Sequence, residues 1–132
     1  MSRENVELVR RVYEMWNDGD LVAWGAMHHP DVVVIPPPGW PEAEVSRSRD
    51  EWLAQAMRLT DSWEEQRVEI ESLHETGDGV LVLFEWITRG RGSQIDLTTE
   101  FACVAKVRDG AITELVYYLD RQQALEDVGL RG

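Results

Sequence analysis

Between Glu4 and Asn17 the apolar residues Val6, Val9, Tyr13 and Trp16 recur at helical spacing. Leu8, Val12 and Met15 widen that stripe, so the pattern predicts a helix covered over much of its surface. Gly19 stops it, and Asp20 can cap a second, short helix from Leu21 to about Met27. "DVVVI" (Asp31–Ile35) then reads as a short buried strand, and Pro36 forbids its continuation. Ser48 opens a third helix through "SRDE", a capping box. There the Ser48 hydroxyl takes the Glu51 backbone N–H and the Glu51 carboxylate reaches back. Trp52, Leu53, Ala56 and Met57 form its inner face.

After residue 62 the period drops towards two. "SWEEQRVEIESLHE" predicts a strand in which Val68 and Ile70 alternate with Glu69 and Glu71. "GVLVLFEWITR", "SQIDLTTEFACVAKVR" and "AITELVYYL" predict three more. The hairpin turns between strands are Gly77-Asp78-Gly79, Gly90-Arg91-Gly92 and Asp109-Gly110, supplying positive φ. Asp120 opens a last helix, closed by Gly129. Alternation places Leu97, Thr99, Phe101, Cys103, Ala105 and Val107 on one face of the long strand, the apolar one, towards the helices. Asp96, Thr98, Glu100, Ala102, Val104 and Lys106 take the other, which suits solvent or a partner subunit. Helices followed by a meander and a closing helix predict an α+β domain over residues 1–132, a curved sheet wrapped on helices.

Composition narrows the function classes. A net charge of -12 argues against binding nucleic acid or anionic membrane surfaces. The N-terminal "MSRENVELVRRVYEMW" has no uninterrupted apolar run, so no signal peptide is expected, nor any membrane span. The single Cys103 cannot form an internal disulfide, which fits a reducing cytoplasm. Six tryptophans in so short a chain call either for a core filled with bulky rings or for an aromatic-lined cavity.

The element order, with "YEMWNDGDLVAW" (Tyr13–Trp24), "HPDVVVIPPPGWPE" (His29–Glu42), "RDEW" (Arg49–Trp52), "VRDGAI" (Val107–Ile112) and "YYLDRQQALEDVGL" (Tyr117–Leu130), resembles the SnoaL-like branch of the nuclear-transport-factor-like superfold. The resemblance implies a cone-shaped half-barrel, a curved mixed or antiparallel sheet around three N-terminal helices with a short C-terminal helix. It also implies one deep cavity, with the segment after "DVVVI" at its mouth. The superfold hosts isomerases, cyclases, epoxide hydrolases, dehydratases and plain binding domains, so activity must be argued from the site. Related steroid isomerases use an aspartate base and a tyrosine–aspartate oxyanion hole. The matching positions here are Pro36, Val12 and Cys103, and none can serve, so steroid isomerisation by that mechanism is rejected.

Four residues are candidates for acid–base chemistry. Asp120, near the wide end of the implied cavity, could move protons if partly buried beside rings, and equally reads as a helix N-cap with Gln123. Tyr117 and Tyr13 could offer phenolic O–H groups to a carbonyl, or simply pack in the core. His28 could reach the cavity as an acid or base, while His29 reads as a residue at a helix C-terminus. The adjacent histidines lack partners at metal spacing, so no metal and no cofactor are expected. Glu85 and Glu100 read as outer-face charges paired with Arg89 or Lys106 across strands. The expected ligand-lining set is Trp16, Met27, Val34, Trp40, Trp52, Met57, Phe84, Trp86, Phe101 and Tyr117, with Cys103 as a small inward hydrophobe. These features suit a small hydrophobic polyketide-, terpenoid- or steroid-like molecule. It would be handled by a cofactor-independent lyase, isomerase or cyclase, or merely bound, in a cytoplasmic protein that is a homodimer through the semi-polar sheet face. A module packed shut by tryptophans is the third possibility.

Overall fold

A computed structural model describes residues 2–40 and 44–129. Pro41, Glu42 and Leu130, which close two of the stretches quoted above, lie outside the described residues. The chain runs α1 (Ser2–Asp18), α2 (Leu21–Ala26), β1 (His28–Ile35), α3 (Arg49–Ser62), β2 (Glu65–Glu75), β3 (Gly79–Arg89), β4 (Asp96–Arg108), β5 (Ala111–Tyr118) and α4 (Arg121–Asp127). The strands form one open sheet in the order β1-β5-β4-β3-β2. Strands β2 to β5 pair antiparallel, and β1 adds to β5 in parallel, so the sheet is mixed. Register shifts between Ile70 and Ser72 and between Lys106 and Val107 insert extra residues at Glu71 and Thr113. Bulges of this kind bend strands and increase twist.

Local signals act as the sequence predicts at most ends. Gly19 takes φ 75° after α1, and the Asp20 carboxylate accepts the Ala23 N–H at 3.1 Å. The Ser48 hydroxyl accepts the Glu51 N–H at 3.1 Å. The Glu51 carboxylate reaches one residue further than a standard box, to the Arg47 N–H at 2.7 Å. His28 and His29 open β1 rather than close a helix; consecutive strand residues face opposite ways, so His28 is buried and His29 exposed. At the β4–β5 turn Asp109 and Gly110 take φ 52° and 77°, as a type I′ hairpin requires. The Gly77–Gly79 turn does not use positive φ at either glycine. Gly79 is needed for another reason: a Cβ there would run into the Ala105 carbonyl on β4.

The helices α1, α2 and α3 cover one sheet face. Phe101, Cys103, Ala105 and Val107 join Val9, Val12, Trp16, Trp24 and Trp52 in the main core. Leu97 departs from the expected inward set and is exposed, because β4 begins beyond the cover of the helices. The opposite face is not left open either. Helix α4 folds onto it, and Ala124 buries Leu81, Ala102 and Val104, with Leu125 and Val128 packed alongside. Arg121 anchors this helix: its guanidinium pairs with Glu71 at 2.9 and 3.0 Å, reaches Glu100 at 3.7 Å and donates to the Phe84 carbonyl at 2.8 Å. The three carboxylates of Glu71, Glu85 and Glu100 converge within 4.8 Å on this face. Arg121 therefore supplies the positive charge that the sequence reading assigned to Arg89 or Lys106. Arg89 instead serves Glu65 and Asp96, and Lys106 serves Glu114. No helix among the described residues is long and apolar enough to cross a membrane.

Candidate functional site

A cavity of about 120 Å³ lies between helices α1–α3 and the inner face of the sheet. Its wall is a connected set of rings. Trp16 packs on Trp24 at 5.3 Å between centroids, Trp24 on Trp52 at 5.5 Å, and Trp52 on Tyr117 at 6.1 Å. Tyr117 meets Phe84, which stacks on Phe101 at 5.4 Å and 9°. Trp40 closes the set over Phe101 and Trp86, at 5.3 and 6.2 Å.

The proline run explains how Trp40 gets there. Prolines 36 to 38 stop β1, Gly39 turns at φ 81°, and the Trp40 N–H bonds back to the Pro37 carbonyl at 3.2 Å. The chain then returns to β1, where Val34 and Ser46 exchange backbone hydrogen bonds at 2.8 and 3.0 Å. Trp40 is thereby set against Phe101 and Trp86 on the inner face of the sheet.

Polar groups are few in this wall. Outside the lining, Gln66 on β2 accepts from the indole N–H of Trp16 at 2.6 Å and of Trp86 at 3.0 Å, both on one amide oxygen. Sequence alone did not single Gln66 out. The available signal was a polar residue two positions before Val68, on the apolar side of a strand. Gln66→Leu strands two indole donors and is expected to cost about 2 kcal/mol of stability. Gln66→Glu keeps an acceptor and should lose clearly less; urea denaturation of both variants measures the difference.

Of the four acid–base candidates, His28, Tyr13 and Tyr117 line the cavity and Asp120 does not. The Asp120 carboxylate accepts the N–H groups of Gln122 and Gln123 at 3.0 and 3.2 Å as the exposed N-cap of α4. Asp120→Ala should therefore cost about 1 kcal/mol in thermal or chemical unfolding and leave events in the cavity unchanged. The Tyr13 and Tyr117 hydroxyls are held next to the Cys103 thiol. Burial first, and the Cys103 neighbour second, push both phenols well above their ordinary value, so they remain protonated. Burial likewise pushes the Cys103 thiol up to about 12, against the hydrogen bonding of both tyrosines, so it is no nucleophile at neutral pH. His28 is 1% exposed and its Nδ1 lies 2.9 Å from the Trp24 carbonyl oxygen. Burial, opposed by backbone contacts at Trp24 and Gly25, brings the imidazole down to about 4, so it is neutral at pH 7.

Of the expected ligand-lining residues, Trp16, Val34, Trp40, Trp52, Phe84, Trp86, Phe101 and Tyr117 reach the cavity. Met57 does not: it is 52% exposed on the outer side of α3, because helical phase turns it away from Trp52 and Ala56. Met27 packs against the core outside the cavity, and Cys103 is fully buried behind its wall. Trp24, Gln55, Leu59 and Val68 also line it and were not anticipated.

The family model for the SnoaL-like domain matches residues 9–115. Among solved structures, the chain is similar to Bal32a from a soil-derived mobile gene cassette, at 19% identity over 88% of each chain and a TM-score of 0.79. It is similar to a hypothetical protein with a ketosteroid isomerase-like fold from Catenulispora acidiphila, solved with trimethylamine (18% identity, 95% of this chain and 94% of that one, TM-score 0.75). It is also similar to an LEH-like epoxide hydrolase of M. tuberculosis (18% identity, 96% and 90%, TM-score 0.75). At these identities the likeness concerns the fold. No curated protein matches the chain.

Proposed function

The chain belongs to the SnoaL-like domain family, and from that premise we propose that it binds a small, uncharged, hydrophobic molecule in the ring-lined cavity. The observation that carries this reading is the lining itself. Five of the chain's six tryptophans contribute to it, and among the described residues Glu44, which is exposed, is the one lining residue that carries a formal charge at pH 7. Such a wall rewards burial of apolar surface at about 25 cal/mol per Å² and penalises an unpaired ionised group.

Size narrows the ligand. A drug-sized ligand occupies roughly 300–1,000 Å³, whereas a cavity of about 150 Å³ takes benzene. At about 120 Å³ the space suits one ring or a compact aliphatic molecule. A steroid- or polyketide-sized molecule would have to project past Trp40. The similar fold solved with trimethylamine, a molecule of few atoms, supports the smaller class.

Because the tryptophans surround the site, their fluorescence reports occupancy directly. Titration with toluene should give a saturable change with one molecule per chain. A signal that stays linear to the solubility limit would remove this reading.

A second reading is acid–base catalysis on the bound molecule, of lyase, isomerase or cyclase type. What favours it is a neutral imidazole, His28, in a mostly apolar enclosure. It predicts that a bound compound is recovered altered after incubation, and that His28→Asn recovers it unchanged.

A further inference from the structure

Two polar atoms in the wall of the cavity have no partner. Nε2 of His28 and Nε1 of Trp52 are buried and unbonded among the described residues, and both residues line the cavity. Their rings both pack on Trp24, at 4.7 and 5.5 Å between centroids, so the two share one aromatic neighbour in the wall. They differ from the indoles of Trp16 and Trp86, both of which Gln66 satisfies.

Chemistry fixes what each atom wants. The Trp24 carbonyl oxygen beside Nδ1 of His28 can only accept, so Nδ1 carries the ring proton and Nε2 is a bare acceptor. The indole Nε1–H of Trp52 is a donor and nothing else. An acceptor and a donor left unpaired in one buried region form a specificity element: a molecule that cannot engage them leaves the cost of their desolvation in place.

Resting on the small-molecule reading above, the geometry points to a neutral hydroxyl compound, a phenol or compact alcohol, as the preferred ligand. Its O–H donates to Nε2 of His28, and the same oxygen accepts from Nε1–H of Trp52. A hydroxyl is the smallest group that performs both roles. An ether or carbonyl oxygen answers Trp52 alone, and a hydrocarbon answers neither. A carboxylate brings an ionised group against a bare acceptor in a mostly apolar site whose one lining charge among the described residues, Glu44, is itself negative.

The test compares toluene, anisole, phenol and benzoate by calorimetry and tryptophan fluorescence on the full chain at pH 7. Phenol should bind about tenfold more tightly than toluene, with anisole between them and benzoate weakest. Trp52→Phe keeps the ring and removes the donor, and His28→Asn removes the Nε2 acceptor. Each should lower the phenol-to-toluene ratio by about threefold, and the double variant should bring it close to one. A readout independent of variant folding is the indole N–H resonance of Trp52 in the unmodified chain, which phenol should shift downfield and toluene should not. Equal affinity for phenol and toluene, with no movement of that resonance, overturns the hydroxyl assignment and leaves the small-molecule site standing. Failure of every compound to saturate the protein removes the site and this inference together.

Discussion

Trp24→Ala is expected to lower the stability of the domain by about 3–5 kcal/mol, the largest effect of any single substitution considered. Trp24 is 4% exposed and stands where three rings meet: Trp16, Trp52 and His28 all pack on it within 5.5 Å between centroids. It sits on α2, a helix of six residues whose place against α1, α3 and β1 rests on this side chain. Deleting the indole removes its transfer free energy and leaves a void beside a cavity already present, which the neighbours can only partly fill. The hydrogen bond that His28 Nδ1–H donates to the Trp24 backbone carbonyl survives the substitution, so the loss measures packing. A domain of ordinary stability, about 5–15 kcal/mol, would keep little margin. Trp24→Phe should recover more than half of the difference. Urea denaturation followed by circular dichroism decides the matter. A loss below about 1 kcal/mol for Trp24→Ala would mean that the ring is not the keystone of the helical layer.

Acidification is expected to remove about 3 kcal/mol of stability through His28 alone, most of it before the carboxylates titrate. The imidazole is lowered from 6.5 to about 4 by burial, so the folded state favours the neutral ring. The unfolded chain therefore binds more protons between those two values, and stability rises with pH across that interval. The contribution is complete above pH 6.5, falls by about 2 kcal/mol by pH 5 and by about 3 kcal/mol by pH 4. Glu71, held below its ordinary 4.5 chiefly by its hydrogen bonds with Arg121, adds a second loss at lower pH. His28→Gln cannot titrate, so its urea midpoint should stay nearly flat between pH 7 and 5 while the unmodified chain's drops. Parallel pH profiles for the two proteins would show that His28 is not the group being forced to charge.

How much of this was legible beforehand follows the range of the interactions. The elements were readable because their signals are local. Alternation of Phe101, Cys103 and Ala105 against Ala102 and Val104 sorted the two sheet faces, and Ser48 and Asp20 marked helix starts that the backbone then used. Ring chemistry was partly readable too, since an aromatic on the apolar side of a strand has few places to go. The partnerships were not. Arg121 reaches Glu71 across 50 positions, and Gln66 meets Trp16 across the same separation, with no periodicity linking either pair. The role of Asp120 shows the same limit from the other side: its sequence context permitted both a cap and a proton donor, and only its position outside the cavity chose the cap.

By itself, then, the amino-acid order determined the kinds and sequence of the helices and strands, most of the inward and outward sets, and the abundance of rings that a folded chain must bury. Those follow from dihedral preference and from the exclusion of apolar surface by water, which act residue by residue. The tertiary structure alone decided that the rings surround a space instead of filling it. It also turned Met57 outward, laid α4 against the second sheet face, and left His28 and Trp52 each with a nitrogen unpartnered among the described residues. Those outcomes depend on how three helices and a bulged sheet fit together, a geometric closure that no local pattern encodes.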